Sequence, residues 1–278
     1  MLLQLRHASV ALLSTVLLFA VSCKKDNNPE HPPKPAGKKL AKISEGPDDY
    51  TSFSWNPDGS LKTMTVSNAF TTGKEVYTVT LSYLADKKLN EGVYSNGNKI
   101  KFFYENGKLT KTELADNKGV LLNINTFQYN FAGRLSAHTI FGAFPLDDGT
   151  PGTAYKQVYK TEYSYFTAHD SLVHEAVSYK RNAATKQLEK WSIIRSDAYD
   201  NKKNPLSILG DFGIALFRQS SKCNSTEDYL YDDQYTLLER TENDFIYDND
   251  GYPILNKQKV TDPKGPTPSF YTITYTYQ

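Results

Sequence analysis

From Leu40 onward apolar and polar residues alternate with a period of two, the spacing of a strand that buries one face. Residues 74–83 set Tyr77, Val79, Leu81 and Tyr83 on one side and Val76, Thr78, Thr80 and Ser82 on the other. The clearest alternation runs from Tyr155 to Tyr165: Tyr155, Tyr159, Tyr163 and Tyr165 share one face, opposed by Lys156, Lys160, Glu162 and Ser164. The same spacing predicts strands over 98–104, 108–115, 120–129, 134–141, 171–179, 187–199, 235–247 and 253–260. It also predicts a terminal strand through Tyr271, Ile273, Tyr275 and Tyr277, and strands that resume after Thr226. Between strands recurs one device: an aromatic residue, a polar turn, a glycine and a returning strand. It reads Tyr247-Asp248-Asn249-Asp250-Gly251-Tyr252-Pro253, with further copies at Trp55 to Leu61, Tyr104 to Leu109 and Tyr129 to Leu135. Glycine suits the last turn position because φ there is often positive, where a Cβ is strained.

Successive hairpins of this kind predict an all-β antiparallel meander of about 14 strands. Two segments interrupt it. Residues 141–153, with Gly142, Pro145, Asp147-Asp148-Gly149 and Pro151-Gly152, read as a loop by turn chemistry. After Tyr199, Asn204 is a helix cap and Pro205 suits the first helical position, while Ile208, Leu209 and Phe212 fall at helical spacing. One short helix is therefore expected near residues 205–217, weakened by Gly210 and Gly213 at about 1 kcal/mol each.

Composition supports strands: tyrosine supplies 20 of 278 residues and aromatics 13%, side chains that suit a pleated, half-buried surface. The charge balance of 32 basic against 31 acidic residues gives no electrostatic footprint for nucleic acid. The first residues bear on compartment. Arg6 and His7 precede an apolar run from Ala8 to Val21, followed by Ser22 and Cys23, the n-region and h-region of an export signal too short to span a membrane comfortably. Residues 24–39 are rich in Lys, Pro and Asn without a large apolar side chain, so they read as a solvated tether of up to roughly 50 Å reach. The expected organisation is a signal peptide over 1–22, Cys23 with a tether over 23–39, and a single β domain over 40–278.

Val21-Ser22-Cys23-Lys24-Lys25-Asp26 resembles the lipobox of a bacterial lipoprotein, which implies cleavage before Cys23 and a lipid on that cysteine. Cys223 is then left without a disulfide partner. Tyr129-Asn130-Phe131-Ala132-Gly133-Arg134-Leu135 is similar to the YD repeat of bacterial surface proteins, Tyr-Asp-x-x-Gly-Arg-Leu. Together with Tyr199 to Pro205 (Tyr-Asp-x-Lys-x-Asn-Pro) and the tyrosine-rich last strand, these motifs resemble a family of Bacteroidetes-type outer-membrane lipoproteins of unknown function with a porin-like fold. The resemblance implies a closed or partly open β-barrel anchored to the outer membrane through Cys23. A mean hydropathy of −0.55, with Lys156, Lys160 and Glu162 opposite the tyrosines, leaves little room for an apolar girdle. The expected barrel is soluble, not membrane-embedded, with its aromatic face inward.

Catalytic and metal chemistry finds little support. Aligned to a calcium-binding EF-hand loop, the Asp248 turn would place Ile246 and Lys257 where carboxylates are required, so it reads as a turn. Asp147-Asp148 and Asp232-Asp233 are adjacent pairs in or near loops, of the residue type that glycoside hydrolysis uses. His138, His169 and His174 have no metal-ligand spacing, and no histidine lies near Cys223 in sequence. No cofactor motif is present. The expected function is non-enzymatic binding of a glycan or envelope protein, with Tyr155, Tyr159, Tyr163, Tyr165, Tyr271 and Tyr275 as candidate contact aromatics. The alternatives are an envelope scaffold and, third, an enzyme acting on polysaccharide. An open lumen would favour ligand binding and a filled one a scaffold.

Overall fold

The computed structural model describes residues 37–70, 73–143, 155–166, 172–217 and 221–278. The expected signal peptide, Cys23, most of the expected tether, Asp147-Asp148 and His169 lie outside the described residues. Lys38–Gln278 forms one compact unit. Its strands are β1 (Leu40–Ser44), β2 (Tyr50–Trp55), β3 (Leu61–Phe70), β4 (Gly73–Tyr83), β5 (Leu89–Tyr94), β6 (Lys99–Glu105), β7 (Lys108–Ala115) and β8 (Leu121–Tyr129). There follow β9 (Leu135–Ala143), β10 (Tyr155–Tyr165), β11 (Val173–Arg181) and β12 (Leu188–Lys203), then β13 (Cys223–Tyr231), β14 (Leu237–Tyr247), β15 (Pro253–Thr261) and β16 (Ser269–Tyr277). Between β12 and β13 a 3₁₀ turn (Pro205–Leu209) runs into a helix, α1 (Gly210–Phe217).

Every strand pairs antiparallel with its sequence neighbours, and β1 pairs with β16, Leu40 opposite Tyr277 and Ile43 opposite Tyr275. The result is a closed barrel of sixteen strands, which leaves no unpaired edge to recruit another chain. Lys39 and Gln278 exchange backbone hydrogen bonds of 3.0 and 2.9 Å across the seam. The sequence reading undercounts the strands because short ones such as β5 carry too few residues to display alternation. The helix falls where the sequence places it: the Asn204 side chain accepts from Leu206 N at 2.9 Å and Pro205 opens the turn.

The aromatic, turn and glycine device forms one end of the barrel. In the 130–134 turn Gly133 donates to the Asn130 carbonyl at 2.9 Å with φ of 77°, and Gly251 does the same to Asp248 at 3.0 Å with φ of 77°. Asp248 Oδ1 accepts from Asp250 N and Tyr252 N, and its Oδ2 pairs with Lys38 at 2.8 Å. Its oxygens thus fix the turn and secure the start of the compact unit.

The aromatic residue of each copy has a second task. Trp55 Nε1 donates to the Leu40 carbonyl at 2.8 Å, and the Tyr83 hydroxyl to the Leu61 carbonyl at 2.7 Å. Tyr129 reaches Leu109 at 2.8 Å, Tyr165 reaches Leu135 at 2.7 Å, Tyr199 reaches Val173 at 2.7 Å and Tyr277 reaches Pro253 at 2.9 Å. Each donor lies at or near the end of an even-numbered strand, and each acceptor at or next to the start of the odd-numbered strand before it. These two strands are joined covalently only at the far end of the barrel, so each bond ties one hairpin to the preceding hairpin. At Tyr104 the hydroxyl is buried and drawn toward Leu89 O and Asp211 without full hydrogen-bond geometry to either. At Tyr247 the hydroxyl donates instead to the Asp200 carboxylate, where the helical insertion replaces an ordinary hairpin.

Inside this end lies the core. Leu40, Phe53, Leu61, Leu89, Leu109, Phe127 and Leu135 are buried against Leu209 and Phe212 of the insertion, with Tyr83, Tyr104, Tyr129 and Tyr277 around them. Sixteen strands make a wide barrel that strand side chains alone fill poorly; here the helix acts as a plug.

Two outcomes follow for the tied tyrosines. Tyr129→Phe should lower unfolding free energy by about 1–2 kcal/mol, because it orphans the Leu109 carbonyl; urea denaturation against a Phe131→Ala control, a fully exposed side chain, measures it. Burial pushes Tyr83 and Tyr129 up to about 12. A folded value raised above the unfolded phenol value of about 10 gives stability that is complete below about pH 10 and is lost as pH rises toward 12. Circular dichroism and phenolate absorbance should therefore change together in that window, rather than absorbance first.

Candidate functional site

Away from the plug the lumen changes character. On the inward faces of β7 to β9, Asn125 Nδ2 donates to Thr112 Oγ1 at 3.2 Å and Asn123 Oδ1 at 3.1 Å. His138 Nε2 lies 3.0 Å from Asn125 Oδ1, and its ring stacks on Phe127 with centroids 5.1 Å apart. Across β10 and β11, Thr161 Oγ1 and Ser178 Oγ meet at 3.2 Å. On β12 to β15 the polar row continues: Ser196 and Ser225 hydroxyls donate to Asp228 Oδ1, the latter at 2.6 Å, and Asn243 Nδ2 approaches Asp228 Oδ2 at 3.4 Å. Asn256 Nδ2 and Gln258 Nε2 both donate to Asn243 Oδ1, at 3.0 and 2.8 Å.

This row borders a cavity of about 410 Å³ lined by Asp228, Asn243, Asn256, Gln258, Phe245, Ile273 and Tyr275 from the wall and by Pro205 and Leu206 from the plug. A second space of about 300 Å³, lined by Ile194, Leu230, Glu239 and Thr241, also touches Asp228. The barrel is thus filled at the motif end and open on the β12 to β16 side. Burial raises the Asp228 carboxyl above the ordinary range, opposed by hydrogen bonds from Ser196, Ser225 and Asn243. Burial likewise raises Asp211 on the plug, opposed by Tyr104 and by the Lys88 charge.

The candidate aromatics divide. Tyr163 packs against the apolar core and Tyr165 is tied to Leu135, so both serve packing. Tyr155 departs from the expected row: an extra residue in β10 between Gln157 and Tyr159 relative to β9 breaks the alternation. Tyr155 falls out of phase with Tyr159, and its hydroxyl donates to the Leu121 carbonyl. Tyr159, Tyr271 and Tyr275 face the open lumen. Tyr159 and Tyr271 are 43% and 50% exposed, while burial, opposed by a hydrogen bond with Asn256, pushes Tyr275 up to about 12. Near Tyr159, Trp191 is the unpaired residue of a bulge between β11 and β12, and Lys180 Nζ lies 4.0 Å above its ring.

Other candidates resolve into structure. Asp232 Oδ1 accepts from Gln234 N and Thr236 N in the turn between β13 and β14. His174 packs edge-on against Phe166. Burial, then the Asp200 charge, raises the Cys223 thiol, the wrong direction for a nucleophile. Sequence reasoning missed Asp228 and the amide row because both faces of β14 and β15 are polar, leaving no contrast to mark the inward one.

Because Asp211 is raised by burial, its charged form opposes folding above the unfolded carboxylate value of about 4. Asp211→Asn should raise the melting temperature at pH 7, and the gain should vanish as pH falls below that value; a gain independent of pH would contradict this placement.

No protein-family profile and no curated protein matches the chain. Among solved structures, a porin-like protein from Bacteroides uniformis is similar with a TM-score of 0.54 and 17% identity, over 87% of this chain and 95% of that one. A porin-like protein from Bacteroides vulgatus gives a TM-score of 0.49 and 9% identity over 86% and 99%. At such identity the first likeness speaks to the fold: this chain is a closed, porin-like antiparallel β-barrel.

Proposed function

We propose that this chain is a lipid-anchored β-barrel of the cell envelope that binds a glycan or protein partner without catalysis. The observation that carries the reading is the open, polar side of the lumen, a cavity within the size range of ligand sites. It is lined by amides and one carboxylate beside aromatic rings, groups that hold a ligand by hydrogen bonds and stacking. Glu239 and Asp228 are the acidic groups lining the two lumen spaces, and among the described residues hydroxyl and amide donors contact Asp228.

A soluble barrel on a tether, rather than one embedded in a bilayer, is supported by its outer wall. Arg240 pairs with Glu227 and Glu242 at 2.5 and 3.2 Å, Lys259 with Glu242 at 2.9 Å, and Lys160 with Glu162 at 2.5 Å. These residues alternate with the inward Asp228, Thr241, Asn243, Gln258 and Thr161, so charge stands where a lipid-facing strand carries apolar groups. The lipobox-like residues around Cys23 support the anchor and the outer-membrane location. The filled motif end favours a second reading, a scaffold whose tied hairpins are themselves the function.

Screening the purified chain against envelope glycans and surface proteins should yield a ligand, and ligand binding should protect amides of β13 to β16 from hydrogen exchange. No ligand, combined with altered envelope integrity in a deletion strain, would favour the scaffold. Cys23→Ala should release the protein from the membrane fraction; retention there would contradict the anchor.

A further inference from the structure

The cavity beside Asp228 is unevenly satisfied, and the imbalance specifies a ligand. Asn256 is 2% exposed, yet its Oδ1 has no hydrogen-bond partner among the described residues, while its Nδ2 is engaged by Asn243 and Tyr275. Gln258 Nε2 converges on that same Asn243 oxygen. Two amides therefore donate to one acceptor and leave the Asn256 acceptor unfilled. A buried acceptor without a donor costs on the order of 1–3 kcal/mol, which a bound donor recovers. Asp228 shows the same bias: Oδ1 takes two hydroxyls, whereas Oδ2 has only the long 3.4 Å approach of Asn243. Tyr275 and Phe245 line the same cavity.

We infer that this cavity binds a neutral saccharide unit, whose hydroxyls donate to Asn256 Oδ1 and Asp228 Oδ2 while its ring face rests on Tyr275 and Phe245. The inference rests on the reading of the barrel as a binding module and names the ligand class for its lumen. Chemistry excludes the neighbouring classes. An anion would face the Asp228 carboxylate and the unfilled Asn256 acceptor. An ammonium would satisfy Asp228 but offers no acceptor to the second amide hydrogens of Asn243 and Gln258. A hydroxyl both donates and accepts. The volume of about 410 Å³ is of ligand-site size, and an aromatic face beside polar groups suits a ring with one apolar side.

The test is calorimetric titration of the full chain with four probes: N-acetylglucosamine, cellobiose, galacturonate as the acidic analogue and glucosamine as the amine. At least one neutral sugar should bind, with galacturonate and glucosamine tenfold or more weaker. Asp228→Asn, which keeps the shape and the Ser196 and Ser225 bonds, and Asn256→Leu should each weaken the neutral sugar about tenfold or more. Phe131→Ala, in the exposed turn between β8 and β9 and outside the cavity lining, should leave affinity unchanged. Preferred binding of galacturonate or glucosamine, or neutral-sugar binding indifferent to both lumen variants, overturns the inference and leaves the wider binding reading standing. Capture of an envelope protein with no sugar bound does the same; no binding of any probe, glycan or protein overturns both.

Discussion

The constraint on which the fold depends is the closure of a wide barrel whose neighbouring hairpins are tied covalently at one end only. An antiparallel meander joins β3 to β4 at the far end, so at the motif end their termini are free to splay. The aromatic donor near the end of one even-numbered strand, bonded to a carbonyl at the start of the odd-numbered strand before it, closes that gap six times around the ring. Tyrosine and tryptophan suit the task because each carries an apolar body into the core and a polar tip to its rim. The recurrent device is thus a unit of construction. The leucine that follows its turn supplies both a buried side chain and the accepting carbonyl, as Leu61, Leu109 and Leu135 do.

This ring also explains why the lumen is unequal. The ties gather bulky rings at one end, and the insertion between β12 and β13 fills what remains with Leu209 and Phe212. Where the insertion enters, the repeat cannot continue, and a side-chain network takes over: Tyr247 bonds Asp200, and Asn224, 3% exposed, donates to Asp200, Tyr247 and the Lys203 carbonyl. On the side served by this substitution the lumen stays open and is lined with amides. Filled and open portions thus coexist, so the contrast between scaffold and binding module is one of region within a single barrel.

Much of the architecture was legible in the chain because it is written locally. Period-two alternation marks strands, glycine marks positive φ, and Asn204-Pro205 marks the helical start. The strand count fell short at segments such as Leu89–Tyr94, too short to show a period. The site was far less legible. Tyrosines of the β10 row share one sequence pattern, but one bulge divides them, and hydrogen bonds to backbone carbonyls commit Tyr83, Tyr129, Tyr199 and Tyr277 to structure. Asp228, Asn243 and Asn256 carry no signature, since a polar residue at alternate positions reads as facing solvent until closure shows which face is inside.

Hydrogen exchange across the intact barrel tests the account most directly, because it reports both the tie ring and the plug. The tied ends of the strands and residues 205–217 should be protected to nearly the global unfolding free energy, while the far-end turns at 94–98, 116–120 and 232–236 open earlier. Plug amides that exchange as fast as those far-end turns, or equal protection at both ends, would contradict the claim that aromatic ties and a buried helix hold this barrel closed.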